Sequence, residues 1–560
     1  MSARNDKPTG SADERRAAAG EPMVWLSGMG LALGLLLIIG LLGIIVRNGI
    51  PYFWPKRVAE VTLVQGAEIA GIGGQKFSGE LRMQRTKRDS GTEESQFYLG
   101  NRDIYGFSFK FVDDSQIAEL SYPEGLISVE REEYGRAIGY PIKLVLADGT
   151  ELAASDDEFD TRLEAIIDEV SDRRAEIKHI AKGKIGKINR KIDALKFKEI
   201  EARKKFVEPS DKLGAALDEI ETERARLEER YEVLEGELNE LYELQEKDHL
   251  IYRISSGQES DIGLGETIGF HYPNRLGFVA RCGLFLSNLW AYLSQDPREA
   301  NTEGGVFPAI FGTFVMTLLM SALVTPLGVI AAIYLREYAK QGPLVRAVRI
   351  SVNNLAGVPS IVFGVFGLGF FIYIVGDGID NFFFKTKASE GIPTFKTGGL
   401  MWASLTLALM TIPVVVVATE EALAAVPRGM REASLACGAS KWQTIQRIAL
   451  PAALPGIITG LVLAMARGAG EVAPLMLVGV VESANELPLT TEPPFIHMDQ
   501  KFMHLGFQIY DLGFQSPDSE AARPIAFATA LLLIVLVVIL NLAAIIIRQR
   551  LRKKFITSTF

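Results

Sequence analysis

Apolar residues run in long unbroken stretches at the start of the chain and through its last half, while the region between is interrupted and polar. A helix crossing about 30 Å of hydrocarbon needs roughly 20 mainly apolar residues. Six segments meet that length and are expected to span a membrane: residues 23–46, 306–335, 351–375, 400–419, 456–480 and 524–547. The first is too long for the apolar region of a secretion signal, and no small-x-small cleavage pattern follows between Arg47 and Tyr52, so it reads as a retained span. A further apolar stretch, 276–293, is broken by Arg281, Ser287 and Asn288 and fits a helix lying in the membrane interface.

Residues 50–271 form a large insertion between the first two spans. Within 58–155, short β-branched or aromatic runs at 57–63, 96–99, 105–112, 126–129 and 142–146 are separated by Gly, Asp and Pro, predicting a small β-rich domain. The period then changes. Leu213, Leu217, Ile220, Leu227, Tyr231, Leu234, Leu238 and Leu241 fall on the a and d positions of one heptad register, with Arg224 and Gln245 as polar exceptions. Upstream, Leu163, Ile166, Val170, Ile177 and Ile180 begin a similar stripe, which Ile185, Ile188, Ile192 and Leu195 continue with a shift of phase. Pro209-Ser210-Asp211 separates the two runs. The pattern predicts an antiparallel coiled-coil hairpin over 158–250, each arm on the order of 60 Å at 1.5 Å per residue. Such a hairpin either docks a partner or a second copy of the complex, or satisfies its own seam and solvates its charges. His179 and His249 lie there without metal-ligand spacing, and no metal site is predicted.

The formal charge of -9, with charged residues crowded between Asp156 and Arg253, argues against a general nucleic-acid binder. The two cysteines, Cys282 and Cys437, are too few for a disulfide framework and read as small buried thiols. Basic residues near span ends set the orientation. Arg336, Lys340, Arg346 and Arg349 lie between the second and third spans, and Arg428, Arg431, Lys441 and Arg447 between the fourth and fifth. Arg548, Arg550, Arg552, Lys553 and Lys554 follow the sixth. Alternating spans put all three groups on one side, expected to be the cytoplasm, together with the tails 1–22 and 548–560. The insertion is then periplasmic, and Cys282 and Cys437 fall on opposite sides. The expected protein is an α-helical, multi-pass component of a bacterial inner membrane.

Residues 420–455 read as two short amphipathic helices with a turn at Gly438 and a stop at Pro451. Leu435 and Ile445 are expected to pack inward, leaving Arg431, Glu432, Lys441 and Gln446 in water. Such a unit on the cytoplasmic face suits docking onto a soluble motor, and the spans flanking it argue against DNA binding. Its residues are specific. Glu432-Ala433-Ser434, then Gly438, then Ile448, Leu450 and Pro451 resemble the EAA loop of ABC importer permeases, with Ser434 at the third alanine. No G-x-x-x-x-G-K-[ST] pattern occurs in the chain, so the resemblance implies that ATP is bound by a separate subunit.

Arg467, counted from Gly456, lies about 16 Å into the fifth expected span. An arginine there costs at least about 2.5–3.5 kcal/mol on insertion scales, so it is expected to face a pathway or a carboxylate. Glu471, four residues on, falls on the same helical face, and guanidinium geometry suits tetrahedral oxyanions. The plainer alternative is an Arg–Glu pair that only holds helices together. Around the pair, Ala466-Arg467-Gly468-Ala469-Gly470-Glu471-Val472-Ala473-Pro474 resembles the A-R-x-x-G-E-T-A-P segment of the A-type permeases of phosphate importers, with Val472 in place of the usual Thr. Asn301-Thr302-Glu303-Gly304-Gly305, Thr325-Pro326-Leu327-Gly328, Tyr334-Leu335-Arg336-Glu337-Tyr338 and Pro359-Ser360-Ile361-Val362-Phe363-Gly364 extend the likeness.

This resemblance covers the first span and residues from about 276 onward, and implies the six-helix type I ABC importer permease fold, with a core over 306–547. It implies orthophosphate as substrate, a periplasmic phosphate-binding protein, a PstC-like second permease and a dimer of ATPase subunits as partners, all set in membrane lipid. The chain itself is then non-catalytic and without a cofactor. Glu432, Ala433, Gly438, Ile448, Leu450 and Pro451 would couple to the ATPase, and Arg467 and Glu471 would line the substrate pathway. The alternatives are a permease for sulfate, molybdate or phosphonate, or a membrane-anchored phosphate-signalling scaffold.

Overall fold

The computed structural model describes residues 22–556 except 68, 70, 88–90, 206–210, 300, 485, 490–494 and 517–518. Six helices among them are long and apolar enough to cross a membrane: Trp25–Tyr52, Phe307–Tyr338, Ser360–Phe383, Leu400–Ala424, Lys441–Ala469 and Ala522–Arg550. They are called the first to sixth spans below. Two expectations for their bounds need correction. The third span begins at Ser360, not at residue 351, because the preceding residues form a separate amphipathic helix, Pro343–Leu355, carrying Arg346 and Arg349. Pro359 separates the two, since a proline pushes the residue before it out of helical geometry. The fifth span begins at Lys441 and ends at Ala469, eleven residues before the expected end. Gly470-Glu471-Val472 interrupts it, and a short helix, Ala473–Val478, follows.

Spans two to five enclose the largest apolar cluster, including Met316, Met320, Phe363, Trp402, Leu407, Met410 and Ala464. Small residues let the backbones meet. A Cβ on Gly460 would lie 2.3 Å from the Ala418 side chain, and one on Gly456 would lie 2.5 Å from that of Ala422, so spans four and five touch along a smooth seam. The first span packs near its end on the sixth, where Gly49 meets the Phe527 backbone. Its remaining apolar surface is bare, with Leu36 and Ile39 among many exposed side chains. The interfacial helix, Phe278–Ser294, buries Tyr292 against Phe53 and exposes Phe278, Val279 and Trp290.

The insertion is built on two antiparallel sheets. Strands β1 (Val58–Leu63), β2 (Lys76–Thr86), β3 (Glu93–Tyr98), β4 (Phe109–Asp113) and β5 (Ile117–Ser121) form the first, in the order β4-β3-β2-β1-β5. The second contains β6 (Ile127–Arg131), β7 (Ala137–Val145), β8 (Glu151–Ala153), β9 (His249–Arg253), β10 (Glu259–Gly263) and β11 (Thr267–His271). Its order is β10-β9-β7-β6-β11, with β8 also on β7. The expected division at residue 155 therefore fails. Three strands follow the helical segment and complete the sheet, so 249–250 belong to a strand. The helices are an excursion between β8 and β9. Phe159, Leu163, Ile166 and Val170 seal the sheet beneath them, against Leu144, Leu250 and Tyr252.

Beyond the sheet the excursion continues through Phe159–Lys178, a π-helical turn at His179–Ile185 and Gly186–Lys205, and returns through Asp211–Gln245. Ile180, Ile185, Ile188 and Leu195 meet Leu227 and Leu234 along the seam. The change of phase in the apolar stripe falls in the π-helical turn, where a wider turn absorbs the extra residue. The two ends of the insertion meet: Val58 N–H donates to Asn274 Oδ1 at 3.1 Å, and Asn274 Nδ2 donates to Val58 O at 2.8 Å.

Candidate functional site

Arg467 sits in the last turn of the fifth span. Its neighbour Gly468 faces Met320, whose sulfur would be 2.5 Å from a Cβ placed there. Met320 is 13 residues from Phe307 and 18 from Tyr338 at the two ends of the second span, which puts Arg467 near mid-depth. The fifth span starts earlier and stops sooner than the sequence suggests, so Arg467 lies two residues before its end.

Glu471 does not continue the helix as expected. It lies in the break, yet still approaches the arginine, with 3.7 Å between Arg467 Nε and Glu471 Oε1. That separation is an ion contact longer than a hydrogen bond. Both side chains are partly open, 34% and 20% exposed. The guanidinium therefore keeps donors available to a third group, which a tight bidentate pair would not. The break itself is packed on both sides. A Cβ on Gly364 would come within 2.7 Å of Pro474, and one on Gly506 within 2.9 Å of Val472. Val472 thus fills an apolar contact where a hydroxyl was expected.

The second span also carries a hydroxyl ladder. Thr313, Thr317, Ser321 and Thr325 recur every four residues along the second span, each donating to the carbonyl four residues back at 2.6–2.7 Å. Thr313 also accepts from Leu505 N–H at 2.9 Å. The i, i+4 spacing was present as the available signal, but within an apolar run it reads as ordinary span composition.

The connection between spans four and five is an elbow. Helix Arg428–Ala436 follows Pro427, and Gly438 adopts φ +86°, a left-handed conformation that suits glycine. No atom lies within 4 Å of a Cβ there, so backbone geometry rather than space favours glycine. Ser440 then caps the next helix reciprocally with Gln443. Pro451 does not end that helix as expected. The π-helical turn Ile445–Ala449 precedes it, and the chain runs on unbroken to Ala469. Ile448, Leu450 and Pro451 are half-buried, while Glu432, Ala433 and Gly438 are exposed.

Two expectations about the elbow's faces are corrected: Arg431, expected in water, is half-buried against the ends of the second and fourth spans, and Leu435 does not pack inward. Leu435 is 49% exposed, and Met430 and Trp442 are exposed as well, whereas Ile445 is buried. Cys437 is exposed too, and Cys282 is half-buried; both are free thiols. Ser434 has a structural use, sharing a 2.9 Å hydrogen bond with Thr444 across the elbow.

The elbow is tied to the spans by charge. Arg431 Nη1 lies 2.8 Å from Glu337 Oε1 at the end of the second span, and Arg431 Nη2 donates to Leu423 O at 2.5 Å in the fourth. Lys441 Nζ donates to the Glu337 carbonyl. Arg349 forks onto Glu420, with bonds of 3.1 and 3.2 Å, linking helix Pro343–Leu355 to the fourth span. Displacement of helix Arg428–Ala436 would pull on both spans. Among the described residues there is no group of three or more His, Cys, Asp or Glu side chains able to hold a metal ion.

At the other end of the second span, Glu303 is half-buried against the insertion, its Oε1 3.0 Å from where a Cβ on Gly135 would stand. Burial raises its pKa to about 7 despite the lowering influence of Arg136. Asn301 Nδ2 reaches Asp511 Oδ2 and Glu482 O, each at 3.3 Å.

Residues 324–553 match the family of binding-protein-dependent transport system inner membrane components. Over 200 residues, 36% of this chain and 59% of the relative, the chain is 39% identical to the phosphate transport system permease protein PstA 1 of Mycobacterium tuberculosis. Over 190 residues, 34% of this chain and 57% of the relative, it is 35% identical to PstA of Yersinia pestis. The chain spans about three-fifths of the length of these curated relatives. A solved inward-facing structure of the MetNI methionine ABC transporter covers 47% of this chain and 97% of its own at 21% identity, with a TM-score of 0.31.

Proposed function

We propose, from the match of residues 324–553 to binding-protein-dependent transport components and the likeness to PstA permeases, that the whole chain is a membrane permease subunit of an ATP-driven phosphate importer. The observation that carries the substrate reading is a guanidinium at mid-depth, placed at a helix break and loosely held by one carboxylate. An incoming oxyanion can take the paired donors of Arg467 while Glu471 retains part of the charge contact. The chain is non-catalytic in this reading and contains no cofactor, because ATP is bound by a dimer of separate ATPase subunits.

Met430, Leu435 and Trp442, with Glu432 and Ala433 beside them, form the face that enters the ATPase. Gly438 sets the angle of the elbow, and Ile448, Leu450 and Pro451 join it to the fifth span. Closure of the ATPase dimer moves helix Arg428–Ala436, and the Arg431–Glu337 and Arg431–Leu423 contacts carry that motion into spans two and four. A PstC-like permease completes the pathway, and a periplasmic phosphate-binding protein delivers the anion. Both tails and the elbow are cytoplasmic, as the basic span ends favour, and the insertion is periplasmic. Its paired helices form an antiparallel coiled-coil hairpin.

The test is uptake of labelled phosphate by the complete importer reconstituted in proteoliposomes. Arg467→Gln removes charge-assisted donors worth about 1.5–3 kcal/mol, so uptake should fall about 10- to 100-fold with assembly intact. Unchanged uptake would sink the site assignment. Competition by sulfate or molybdate at equal concentration would instead favour a different anion.

A further inference from the structure

The insertion's paired helices divide their charge unequally. Residues 178–205 carry eleven Lys and Arg against three Asp and Glu, while residues 211–245 carry four against twelve. The basic helix faces the membrane core. Near one end Lys178 Nζ lies 2.5 Å from Asp296, two residues beyond the interfacial helix that ends at Ser294. Near the other, Lys204 Nζ donates to Ser389 at 2.6 Å, six residues after the third span ends at Phe383. Between them Arg190 forks onto Glu486 at 3.2 Å. Both ends are thus anchored to chain that has just left a spanning or interfacial helix. The helix between them, about 39 Å long at 1.5 Å per residue, bridges the chain segments that follow the interfacial helix and the third span.

The seam residues Ile188 and Leu195 point to the acidic helix, and Arg190, Phe197 and Lys204 point to the core. Lys182, Lys184, Lys191, Lys196 and Lys198 are all exposed. Near the Lys204 end they are joined by Lys385 and by Lys387, whose Nζ lies 5.0 Å from the Phe197 ring centre. Phe382 and Phe383, 79% and 71% exposed, end the third span beside them, where aromatic side chains mark a bilayer interface. The carboxylates on this helix do not neutralise the cluster: Glu199 is held by Arg203 at 3.0 Å and Arg224 at 2.9 Å, leaving Asp193 and Glu201. Glu390 lies 3.6 Å from Lys204.

We infer that the basic helix, residues 178–205, binds the headgroups of anionic phospholipids at the membrane surface, with the acidic helix turned away. The inference rests on the permease reading only in that the chain spans a membrane. Basic clusters of this size contribute about 1 kcal/mol per cation at an anionic surface. The docked helix would hold the insertion flat over the loops after spans three and five.

The test uses the full chain with its partner subunits in nanodiscs of phosphatidylcholine alone or with phosphatidylglycerol. Lipid retained after transfer to mild detergent is counted by native mass spectrometry. Phosphatidylglycerol should be retained in preference, and K182Q/K191Q/K196Q/K198Q should reduce that preference at least about tenfold. Arginine at the same four positions should preserve it. A nitroxide at Ala194 should lose access to a water-soluble quencher only in the anionic discs. Equal retention of both lipids, or a preference unaltered by the glutamine variant, overturns the inference. So does full competition by free inorganic phosphate, or lysine-dependent capture of an acidic protein without headgroup selectivity. Loss of lipid preference with phosphate uptake intact would leave the permease reading standing, and the reverse would remove that reading alone.

Discussion

Single residues in this chain are constrained by backbone angle and burial in ways that can be separated. Gly438 turns at φ +86° in open space, so Gly438→Ala should cost about 1–2 kcal/mol of left-handed strain without any clash. Because the turn is local, ATP-driven uptake should fall while the melting temperature of the assembled complex moves little. A variant with normal uptake would show that the elbow tolerates another angle. Glu303 makes a pH prediction. Its folded pKa, raised to about 7 by burial, lies above its ordinary value near 4.5. Its contribution to stability is therefore full below about pH 4.5 and is lost as pH rises through 7. Glu303→Gln should flatten the pH dependence of unfolding between those limits, measured on the purified chain in detergent. An unchanged slope would mean that Glu303 is solvated in the folded chain.

At the scale of elements, the elbow acts through its attachments more than through its own helices. Helix Arg428–Ala436 buries none of its residues, so its position depends on Arg431 and on the Ser434–Thr444 bond. Arg431 and Glu337 are 22% and 12% exposed, between a surface and a buried pair. Removing one partner should cost about 1–3 kcal/mol, discounted for that access. Under the proposed function, Arg431→Met should leave ATP hydrolysis high and uptake low, because the motor still closes but the spans no longer follow. A double cycle with Glu337→Gln should show coupling, as expected for groups in contact. Additive effects would place the transmission elsewhere.

For the whole molecule, the insertion leaves and rejoins the chain at one place, and side-chain contacts tie it to the core elsewhere. Its ends touch through Val58 and Asn274, so residues 59–273 can be replaced by a short Gly-Ser linker without stretching the first span from the interfacial helix. The shortened chain should insert and retain part of its uptake, measured against the full chain at equal membrane abundance. Complete loss with normal insertion would favour the scaffold alternative. The contacts of Lys178, Arg190 and Lys204 with the core would be removed as well, so a change in uptake rate is expected without a change in anion preference.

Hydropathy alone was enough for the six spans, because membrane burial demands length and apolarity within one continuous segment. The elbow's turn at Gly438 was readable for a related reason: a turn and its flanking helices are local. The Arg467–Glu471 pair was legible as a spacing, but the helix break between its members was not. That break is held by Gly364, Pro474, Val472 and Gly506, drawn from three separate parts of the chain. Likewise β9–β11 lie beyond a long helical excursion, and the short runs after residue 248 show no sign of the β7 and β6 edges they join. The exposure of Leu435, an apolar residue expected inside, was not legible from its position in the sequence. Periodicity therefore determined which segments form helices and which must be buried in lipid. Tertiary structure decided where those helices stop, which charges meet, and which face of the elbow is left open, because each depends on contacts between residues remote in the chain.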